Sequence, residues 1–337
     1  FIPMSRTQRR ANLRMNPDFS ALAQVLRDTE SFLIVSHHGP DGDSIGSMLA
    51  MAHLLKGLNK QCVLRCEDPV PENYRWLKGS ELITSDATPA PVDATIMLDV
   101  SRKHRLGKVV STIPVGAPLL TVDHHLDETP DGDCVVADSS YSATGELVAE
   151  LFVYMNVPIT LEAAQCLYVA IATDTGGFRY ANTSASCLKM VARLVETGLD
   201  VADISARIFD QMSVAKFELL RRTLQRMTVM DKVAYSVLTA QDVVETNAKT
   251  EDHEGLVNYA RNIEGVEVGI LFREIDANTA KVSLRSHGKL NCAKFLEQFG
   301  GGGHAAAAGA TIKMPIDSTC TQVLTRLQQF PPFGTMH

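Results

Sequence analysis

The chain has 337 residues, 45% of them hydrophobic, and a formal net charge of -7. A chain of this length is too long for one ordinary hydrophobic core. It can form two domains, each able to bury enough apolar surface to fold. The negative charge argues against binding of long duplex nucleic acid, which usually needs a broadly basic surface, whereas short or small anionic substrates remain compatible with it.

The cysteines and the terminal segment indicate the compartment. Seven cysteines occur without zinc-knuckle or C-x-x-C spacing, which predicts reduced thiols and no disulfide framework. The arginine-rich first residues are not followed by an apolar signal-peptide core, and no run approaches the roughly 18 apolar residues of a membrane span. We therefore expect a soluble, cytoplasmic protein that does not associate with membranes.

Short apolar runs alternate with helical periodicity in the first half of the chain. Predicted strands cover residues 32–35, 61–66, 94–98 and 119–122, and predicted helices cover residues 44–58 and 161–173. Thr160 can cap the second helix, and Gly176 and Gly177 end it. This alternation predicts an α/β fold with a mainly parallel sheet flanked by helices.

The second half begins with a helical pattern and then returns to α/β alternation. Residues 184–230 are helical by pattern almost throughout, and we interpret them as the closing helix of the first domain and a connecting helix. Predicted strands follow at residues 233–239, 266–272, 281–285 and 310–313, with predicted helices at 251–262, 291–298 and 318–329. The predicted organisation is a tail at 1–17, a first domain at 18–190, a connecting segment at 191–230, and a smaller α/β domain with a mixed sheet at 231–337.

His37, Asp41 and Asp43 follow the first predicted strand, within a turn that contains proline and glycine. In an open α/β sheet, ligands bind at the carboxyl ends of the strands. The two aspartates alone would be expected only to cap the helix that begins near Ser44. The additional histidine favours a ligand set instead.

Further acids and imidazoles follow the later strands. Asp99 ends the third predicted strand, and Asp123, His124 and His125 follow the fourth. An isolated Asp in this position is usually a turn former, but adjacent imidazoles after a buried strand are costly unless something uses their lone pairs. Asp174 ends a predicted helix, where the macrodipole disfavours an anion by roughly 0.3 to 1 kcal/mol unless a cation is near. The mixed oxygen and nitrogen set suits Mn²⁺ or Mg²⁺, and the absence of cysteine from it argues against structural zinc.

The order of these residues resembles the four motifs of the DHH phosphoesterase superfamily. Residues 282–286 (Val-Ser-Leu-Arg-Ser), 300–304 (Gly-Gly-Gly-Gly-His) and 307–309 (Ala-Ala-Gly) resemble the DHH-associated domain. The resemblance extends from about residue 19 to about residue 327. Within the superfamily, the chain is most similar to two-domain proteins that degrade very short RNA and often also dephosphorylate 3′-phosphoadenosine 5′-phosphate, a group that includes proteins described as exopolyphosphatase-related.

The resemblance implies a site for two divalent metal ions, with Mn²⁺ favoured over Mg²⁺. One ion would be held by His37, Asp41 and Asp99. The other would be held by Asp43, Asp99, His124 and Asp174. Asp99 would therefore bridge the pair, and such a site can hydrolyse a phosphoester.

The resemblance also assigns catalytic roles to His125 and Asp123. His125 would face the scissile phosphate, where it either hydrogen-bonds a nonbridging oxygen or assists the leaving group. Asp123 would orient the two histidines without binding a metal itself.

Substrate contacts are implied at six positions: Arg105, Arg285, Ser286, Gly302, Gly303 and His304. A glycine run in isolation would be expected to form a flexible linker. This one lies between a predicted helix and a predicted strand, where glycine lets backbone N-H groups approach an anion. Arg285 and His304 would add charge-assisted contacts to a terminal phosphate or ribose, although Arg285 could also be an ordinary exposed strand residue.

We therefore predict exonucleolytic hydrolysis of di- to pentanucleotides of RNA to mononucleotides in a cleft between the domains, with 3′-phosphoadenosine 5′-phosphate as a second substrate. The partners are then short single-stranded RNA or a small nucleotide, and relatives suggest a homodimer. Alternatives within the hydrolases are an exopolyphosphatase or pyrophosphatase, and a phosphodiesterase that acts on the linear products of cyclic dinucleotides. A pure polyphosphate site would be expected to be richer in Lys and Arg. A noncatalytic nucleotide sensor is the alternative of another class, and the complete ligand set argues against it.

Overall fold

The computed structural model describes residues 17–89, 91–125 and 127–331, with the side chains of Glu251 and His304 excepted. The predicted tail at residues 1–17 lies outside these ranges apart from Pro17. The described residues form two compact units that divide between Gln211 and Met212. We call them the N-terminal unit and the C-terminal unit.

The N-terminal unit contains one parallel sheet in the described part of the chain. Its strands are β1 (Ser31–Val35), β2 (Gln61–Arg65), β3 (Ile83–Thr84), β4 (Ala94–Leu98), β5 (Leu119–Asp123) and β6 (Cys134–Ala137). The strand order is β3-β2-β1-β4-β5-β6, and every neighbouring pair is parallel. The direction of strand addition reverses between β1 and β4, and the carboxyl ends of strands at such a reversal form the crevice in which α/β sheets bind ligands.

Helices flank this sheet. They are α1 (Ser20–Asp28), α2 (Gly42–Gly57), α3 (Thr144–Tyr154), α4 (Leu161–Asp174), α5 (Ala185–Val195) and α6 (Val201–Ser205), with a π-helical turn at Ala206–Asp210 and 3₁₀ turns at Glu72–Tyr74, Ser80–Leu82 and Lys103–Thr112. Every residue of β4 and β5 is buried. Their continuous apolar sequences therefore reflect a sheet that is covered on both faces.

Two glycines of α2 allow this helix to approach α4 closely. A Cβ atom at Gly42 would lie 2.4 Å from Oγ1 of Thr173, and a Cβ atom at Gly46 would lie 2.4 Å from the carbonyl oxygen of Cys166. No side chain fits at either position without displacing the neighbouring helix. The N-terminus of α2 consequently lies beside the C-terminal end of α4, which brings acidic residues from both helix ends together.

The C-terminal unit contains a mixed sheet. Its strands are β7 (Thr228–Met230), β8 (Val233–Leu238), β9 (Val268–Asp276), β10 (Thr279–Ser286), β11 (Gly302–His304) and β12 (Ala307–Ile312), and its helices are α7 (Val214–Gln225), α8 (Ala240–Thr246), α9 (Leu256–Arg261), α10 (Cys292–Leu296) and α11 (Ile316–Gln329). The order is β11-β12-β10-β9-β8-β7, in which β8 and β9 are parallel and the other pairs are antiparallel. Alternate residues of β10 are buried against α10 and α11, so one face of the sheet forms the core.

The predicted fold class is confirmed, and several elements differ from expectation. Residues 228–230, predicted as helical, form β7, because Asp231 adopts a left-handed conformation (φ 51°) and turns the chain back into β8. The helical pattern predicted for residues 184–230 is also interrupted before Ser213, whose side chain caps α7. Strand β11 lies in the glycine run, where no strand is predicted, and β6 and α3 are further unpredicted elements.

All seven cysteines are free thiols. Within the described ranges, no helix combines the length and hydrophobicity that crossing a lipid bilayer requires.

Candidate metal centre

His37 follows β1 and presents one ring nitrogen to two carboxylates. Its Nδ1 atom lies 2.9 Å from the carbonyl oxygen of His38, and a carbonyl oxygen can only accept, so Nδ1 carries the proton. In the neutral ring, Nε2 then has a lone pair, and it lies 3.3 Å from Oδ2 of Asp99 and 3.9 Å from Oδ1 of Asp41. Three acceptors thus converge on one point, as they do around a cation.

Asp41 and Asp43 are placed by the N-terminus of α2. Asp41 caps this helix by accepting a hydrogen bond from the backbone N-H of Ser44 (3.0 Å), so the capping interpretation holds for Asp41 alongside its approach to His37. Asp43 is buried. Its Oδ1 accepts from the backbone N-H of Gly145 (2.9 Å), and its Oδ2 accepts from that of Thr144 (2.7 Å). The N-terminus of α3 therefore orients Asp43.

Asp99 follows β4 in a left-handed backbone conformation (φ 58°) and is buried, a conformation that Asp tolerates better than most residues. Its two carboxylate oxygens face different histidines. Oδ2 lies 3.3 Å from Nε2 of His37, and Oδ1 lies 3.8 Å from Nε2 of His124. Oδ1 also accepts a hydrogen bond from the hydroxyl of Thr144 (3.0 Å). Asp99 therefore presents one oxygen to each of the two histidines.

His124 repeats the arrangement of His37 on the other side of Asp99. Its Nδ1 atom donates to the carbonyl oxygen of Tyr141 (3.3 Å), which leaves the Nε2 lone pair towards the carboxylates. Nε2 lies 3.5 Å from Oδ2 of Asp174 and 3.8 Å from Oδ2 of Asp43. Asp174 is the last residue of α4 and is held by the side-chain amide of Asn182, which donates to its backbone carbonyl oxygen (3.1 Å).

His125 and Asp123 form a hydrogen-bonded pair beside Asp99, whose Oδ1 lies 3.5 Å from Nδ1 of His125. Oδ1 of Asp123 accepts hydrogen bonds from the Nδ1 atom (2.7 Å) and the backbone N-H (3.0 Å) of His125. Burial alone would lower the pKa of His125, but the hydrogen bond and charge of Asp123 outweigh it and raise that pKa above its ordinary value. Burial alone would raise the pKa of Asp123, and His125 outweighs it and lowers that pKa. The pair therefore favours a charged imidazole.

Arg105 lies in the 3₁₀ turn at Lys103–Thr112, and its backbone carbonyl oxygen accepts hydrogen bonds from the N-H (2.8 Å) and Nδ1 (2.8 Å) of His38. Its positive charge acts on His125 in the direction that lowers the pKa of the imidazole. Arg105 thus brings a positive charge within electrostatic reach of His125.

Three carboxyl groups of the cluster resist ionisation when they are together. The pKa of Asp99 is raised well above its ordinary value by burial and by the neighbouring charge of Asp43. Burial also raises the pKa of Asp43. Burial and the charge of Asp43 raise the pKa of Asp174 to about 7. A bound cation would reverse this penalty by stabilising the carboxylates.

The ligand atoms form groups whose members all lie within 4.8 Å of one another. One group contains His37, Asp41 and Asp99. A second contains Asp43, His124 and Asp174. Nε2 atoms that face several carboxylate oxygens form a donor set that fits a pair of divalent cations.

The residues expected to contact substrate in the C-terminal unit lie on β10 and β11, the two strands that flank β12. Arg285 on β10 and His304 on β11 both pair with Ala307 of β12, so their positions are level across the sheet. A Cβ atom at Gly303 would lie 2.6 Å from the carbonyl oxygen of Ala307, whereas no atom lies within 4 Å of an added Cβ at Gly302. Gly302 therefore leaves its backbone open to approach, and Gly303 allows close strand pairing.

Ser286 ends β10 and is buried. Its hydroxyl donates to the carbonyl oxygen of Leu290 (2.7 Å) and accepts from the backbone N-H of Gly288 (3.0 Å). In this geometry Ser286 fixes the turn after Arg285.

Several residues that orient the metal-ligand candidates were not predicted from the sequence. Thr144 and Gly145 hold Asp43 and Asp99, and Asn182 holds Asp174. A local signal existed for the first pair, because Thr-Gly-Glu directly before an apolar run is typical of a helix start. That signal predicts α3 but does not indicate which carboxylates its N-terminus contacts.

Two family models match the chain, and they cover both units. The model described as DHH family, N-terminal domain, matches residues 31–171, and the DHHA1 domain matches residues 231–330. A Thermus thermophilus protein described as bifunctional oligoribonuclease and PAP phosphatase NrnA is 32% identical over 311 residues, which cover 91% of this chain and 93% of the relative. A Bacillus subtilis protein of the same description is 25% identical over 290 residues, which cover 84% and 90%.

A solved structure shows the same fold. An exopolyphosphatase-related protein from Bacteroides fragilis superposes with a TM-score of 0.87 and 26% sequence identity, and the match covers 98% of this chain and 99% of that one.

Proposed function

This chain belongs to the DHH family of phosphoesterases, and from that premise we propose that it hydrolyses short oligoribonucleotides exonucleolytically to mononucleotides and also removes phosphate from 3′-phosphoadenosine 5′-phosphate. The names of the Thermus thermophilus and Bacillus subtilis relatives support both activities. The observation that carries the proposal is the position of Asp99, whose two oxygens face the two separate groups of potential metal ligands.

In this proposal, His37, Asp41 and Asp99 hold one cation, and Asp43, Asp99, His124 and Asp174 hold the other. Two bound divalent cations would activate a water molecule and neutralise charge that develops on the phosphoryl oxygens. Mn²⁺ is the favoured ion, and Mg²⁺ is the alternative, because carboxylate oxygens with a minority of imidazoles suit both.

His125 and Asp123 act on the substrate side of this site. The raised pKa of His125 keeps a proton available on the imidazole, and Asp123 fixes the ring through Nδ1. His125 then donates a hydrogen bond to a phosphoryl oxygen through Nε2 or assists the leaving group. Arg105 adds a positive charge that attracts the phosphate to this position.

The C-terminal unit is proposed to bind the end of the substrate that is not cleaved. Arg285 and His304 would contact a terminal phosphate or ribose with charge-assisted hydrogen bonds, and Gly302 and Gly303 would contribute backbone N-H groups, in a turn geometry that Ser286 stabilises. A substrate held at one end presents one phosphodiester for cleavage, which is the physical basis for exonucleolytic action on short chains.

This assignment divides the chain by role. Residues 18–190 are the proposed catalytic domain, residues 191–230 the connecting segment, and residues 231–337 the proposed substrate-binding domain. A cytoplasmic location and a homodimer complete the proposal. The seven free thiols support a reducing compartment, and light scattering of the purified protein would give the assembly size.

A polyphosphate substrate is the second candidate, since the Bacteroides fragilis structure is described as exopolyphosphatase-related. Purified protein with Mn²⁺ should therefore be offered a labelled diribonucleotide, 3′-phosphoadenosine 5′-phosphate, a linear cyclic-dinucleotide product and polyphosphate in parallel. Hydrolysis of the diribonucleotide and the phosphoadenosine compound is the expected result. Turnover of polyphosphate alone would replace the proposal with the second candidate, and nucleotide binding without Mn²⁺-dependent turnover would identify a sensor.

A further inference from the structure

The loop that follows Asp174 has an unusual backbone. Gly176, Gly177 and Phe178 have φ angles of 57°, 68° and 65°. Three successive left-handed residues are uncommon, and for Phe the conformation is strained and persists only where its surroundings fix it. Such backbone strain is concentrated at sites that bind ligands.

Hydrogen bonds hold this loop in place. The backbone N-H groups of Arg179 and Tyr180 both donate to the carbonyl oxygen of Thr175 (3.0 Å each), and that of Phe178 donates to the Thr175 hydroxyl (3.1 Å). The Phe178 ring packs edge-on against Tyr168, with 5.9 Å between ring centroids. The left-handed turn is thus anchored to α4, and the residues after it are presented in a fixed position.

Tyr180 lies over Gly176. A Cβ atom at Gly176 would lie 2.3 Å from Cζ of the Tyr180 ring, so only glycine allows the ring to lie on the backbone here. The tyrosine is nevertheless 43% exposed. Its ring is therefore supported by the backbone and open to solvent.

Phe209 lies beside the neighbouring glycine. Its Cε2 atom lies 3.4 Å from the position that a Cβ atom would occupy at Gly177, and it is 38% exposed. Phe209 belongs to the π-helical turn Ala206–Asp210, and π-helical turns occur frequently at functional sites. The same turn is anchored by Arg207, whose guanidinium lies 5.1 Å from the centroid of the Trp76 ring.

The loop is connected directly to the candidate metal centre. It begins two residues after Asp174, and its far end returns through Asn182, whose side-chain amide donates to the carbonyl oxygens of Asp174 (3.1 Å) and Ser142 (2.9 Å). Arg179 is exposed and has no acidic partner among the described residues. The exposed ring of Tyr180 and the cation of Arg179 therefore lie on a loop next to Asp174, and the exposed ring of Phe209 lies beside this loop.

Resting on the proposed function, we propose that Tyr180 is a stacking surface for a nucleobase of the substrate, with Phe209 beside it and Arg179 attracting the adjoining phosphate. Aromatic rings near cations are the elements with which proteins hold single-stranded nucleotides without reading their sequence. The ligand is thus the base of a nucleotide whose phosphate lies at the metal centre.

The test compares a diribonucleotide with the same compound lacking the base at one or the other position. In the wild type, kcat/KM should be higher for the complete diribonucleotide by roughly 5- to 150-fold, the range that corresponds to one stacked base. In Tyr180→Leu, the ratio of kcat/KM for the complete compound to kcat/KM for the abasic compound should be close to one, and the change should occur mainly in KM. Tyr180→Phe, which keeps the ring, should retain the wild-type ratio.

Tyr154→Leu is the matched control, because Tyr154 is similarly exposed (45%) but lies at the far end of α3 from Thr144 and packs against Phe19. Mn²⁺ affinity, measured by electron paramagnetic resonance, should be retained in Tyr180→Leu. Loss of Mn²⁺ binding in Tyr180→Leu would overturn the inference. An equal decrease in kcat/KM for the complete and abasic compounds, or no change in kcat/KM for either, would also overturn it. Equal wild-type turnover of complete and abasic compounds would overturn it while leaving the proposed function intact, and a wild type that cleaves neither would overturn both.

Discussion

The Oδ2 atom of Asp99 lies 3.3 Å from Nε2 of His37, across the point at which the strand order of the N-terminal sheet reverses. Because His37 donates its Nδ1 proton to a carbonyl oxygen, the two facing atoms are both acceptors when the ring is neutral. Such a pair is stable at this distance when a cation or a proton lies between them, and a cation would also account for the neighbouring carboxylates.

Asp99→Asn tests this relationship. Asparagine keeps the shape but removes the negative charge that the two metal positions would share, so Mn²⁺-dependent turnover should fall by about 10³-fold or more while nucleotide binding is largely retained. Asp93→Asn is the control. Asp93 precedes β4, at the end of the strand opposite Asp99, and its carboxylate accepts hydrogen bonds from Ser31. Comparable activity of Asp99→Asn and wild type would exclude a catalytic bridge.

Thr144→Val should weaken metal binding without unfolding the protein. The hydroxyl of Thr144 donates to Oδ1 of Asp99, and loss of a group that orients a metal ligand typically costs roughly 10- to 100-fold in metal affinity or activity. Isothermal titration with Mn²⁺ measures the change. Thr197→Val is the matched control, because the hydroxyl of Thr197 donates to the carbonyl oxygen of Leu194. An equal effect in both variants would refute the assignment.

Asp99 and Thr144 show what the sequence could and could not predict. The position of Asp99 at the end of a buried strand follows from local apolar periodicity, and the structure ends β4 at the predicted residue, Leu98. Thr144 is different, because its backbone bond to Asp43 joins residues 101 positions apart. No local pattern encodes such a contact, which depends on the close packing of α2, α3 and α4.

Strand β7 shows the same limit at the level of secondary structure. Thr228–Met230 continues a helical pattern, but its three residues pair with β8 once the chain turns at Asp231. Tertiary pairing overrides the local preference there. The motif residues at strand ends were predictable because a parallel sheet gathers its carboxyl ends at one edge, whereas the residues that orient them come from unrelated segments.

The raised carboxyl pKa values predict a pH dependence with a definite sign. In the metal-free protein the pKa of Asp174 is about 7, above the ordinary value of 3.8, so the folded state binds more protons than the unfolded state between these limits. The free energy of unfolding of the metal-free protein should therefore fall as pH rises from about 4 to about 7.

Mn²⁺ should reverse this trend, because it binds the ionised carboxylates. Binding near pH 6 should release about one proton or more, and the apparent affinity should decrease as pH falls below about 7. Calorimetric titrations in two buffers of different ionisation enthalpy measure the released protons. Asp174→Asn should release fewer of them, and binding without proton release would contradict the assignment.

Arg285→Gln tests the proposed role of the C-terminal unit. If Arg285 donates a charge-assisted hydrogen bond to the uncleaved end of the substrate, its removal should lower kcat/KM by roughly 10- to 100-fold, mainly through KM. Lys294→Gln makes the same charge change on α10, the helix whose Phe295 and Leu296 pack against the opposite face of the sheet. Equal kinetics of the two variants would remove Arg285 from the substrate site.

Anomalous diffraction from crystals soaked in Mn²⁺ tests the central claim most directly. The account predicts two peaks about 3.5 to 4 Å apart, with His37 and Asp41 at one, Asp43, His124 and Asp174 at the other, and one oxygen of Asp99 at each. A single peak, or none within reach of Asp99, would contradict it.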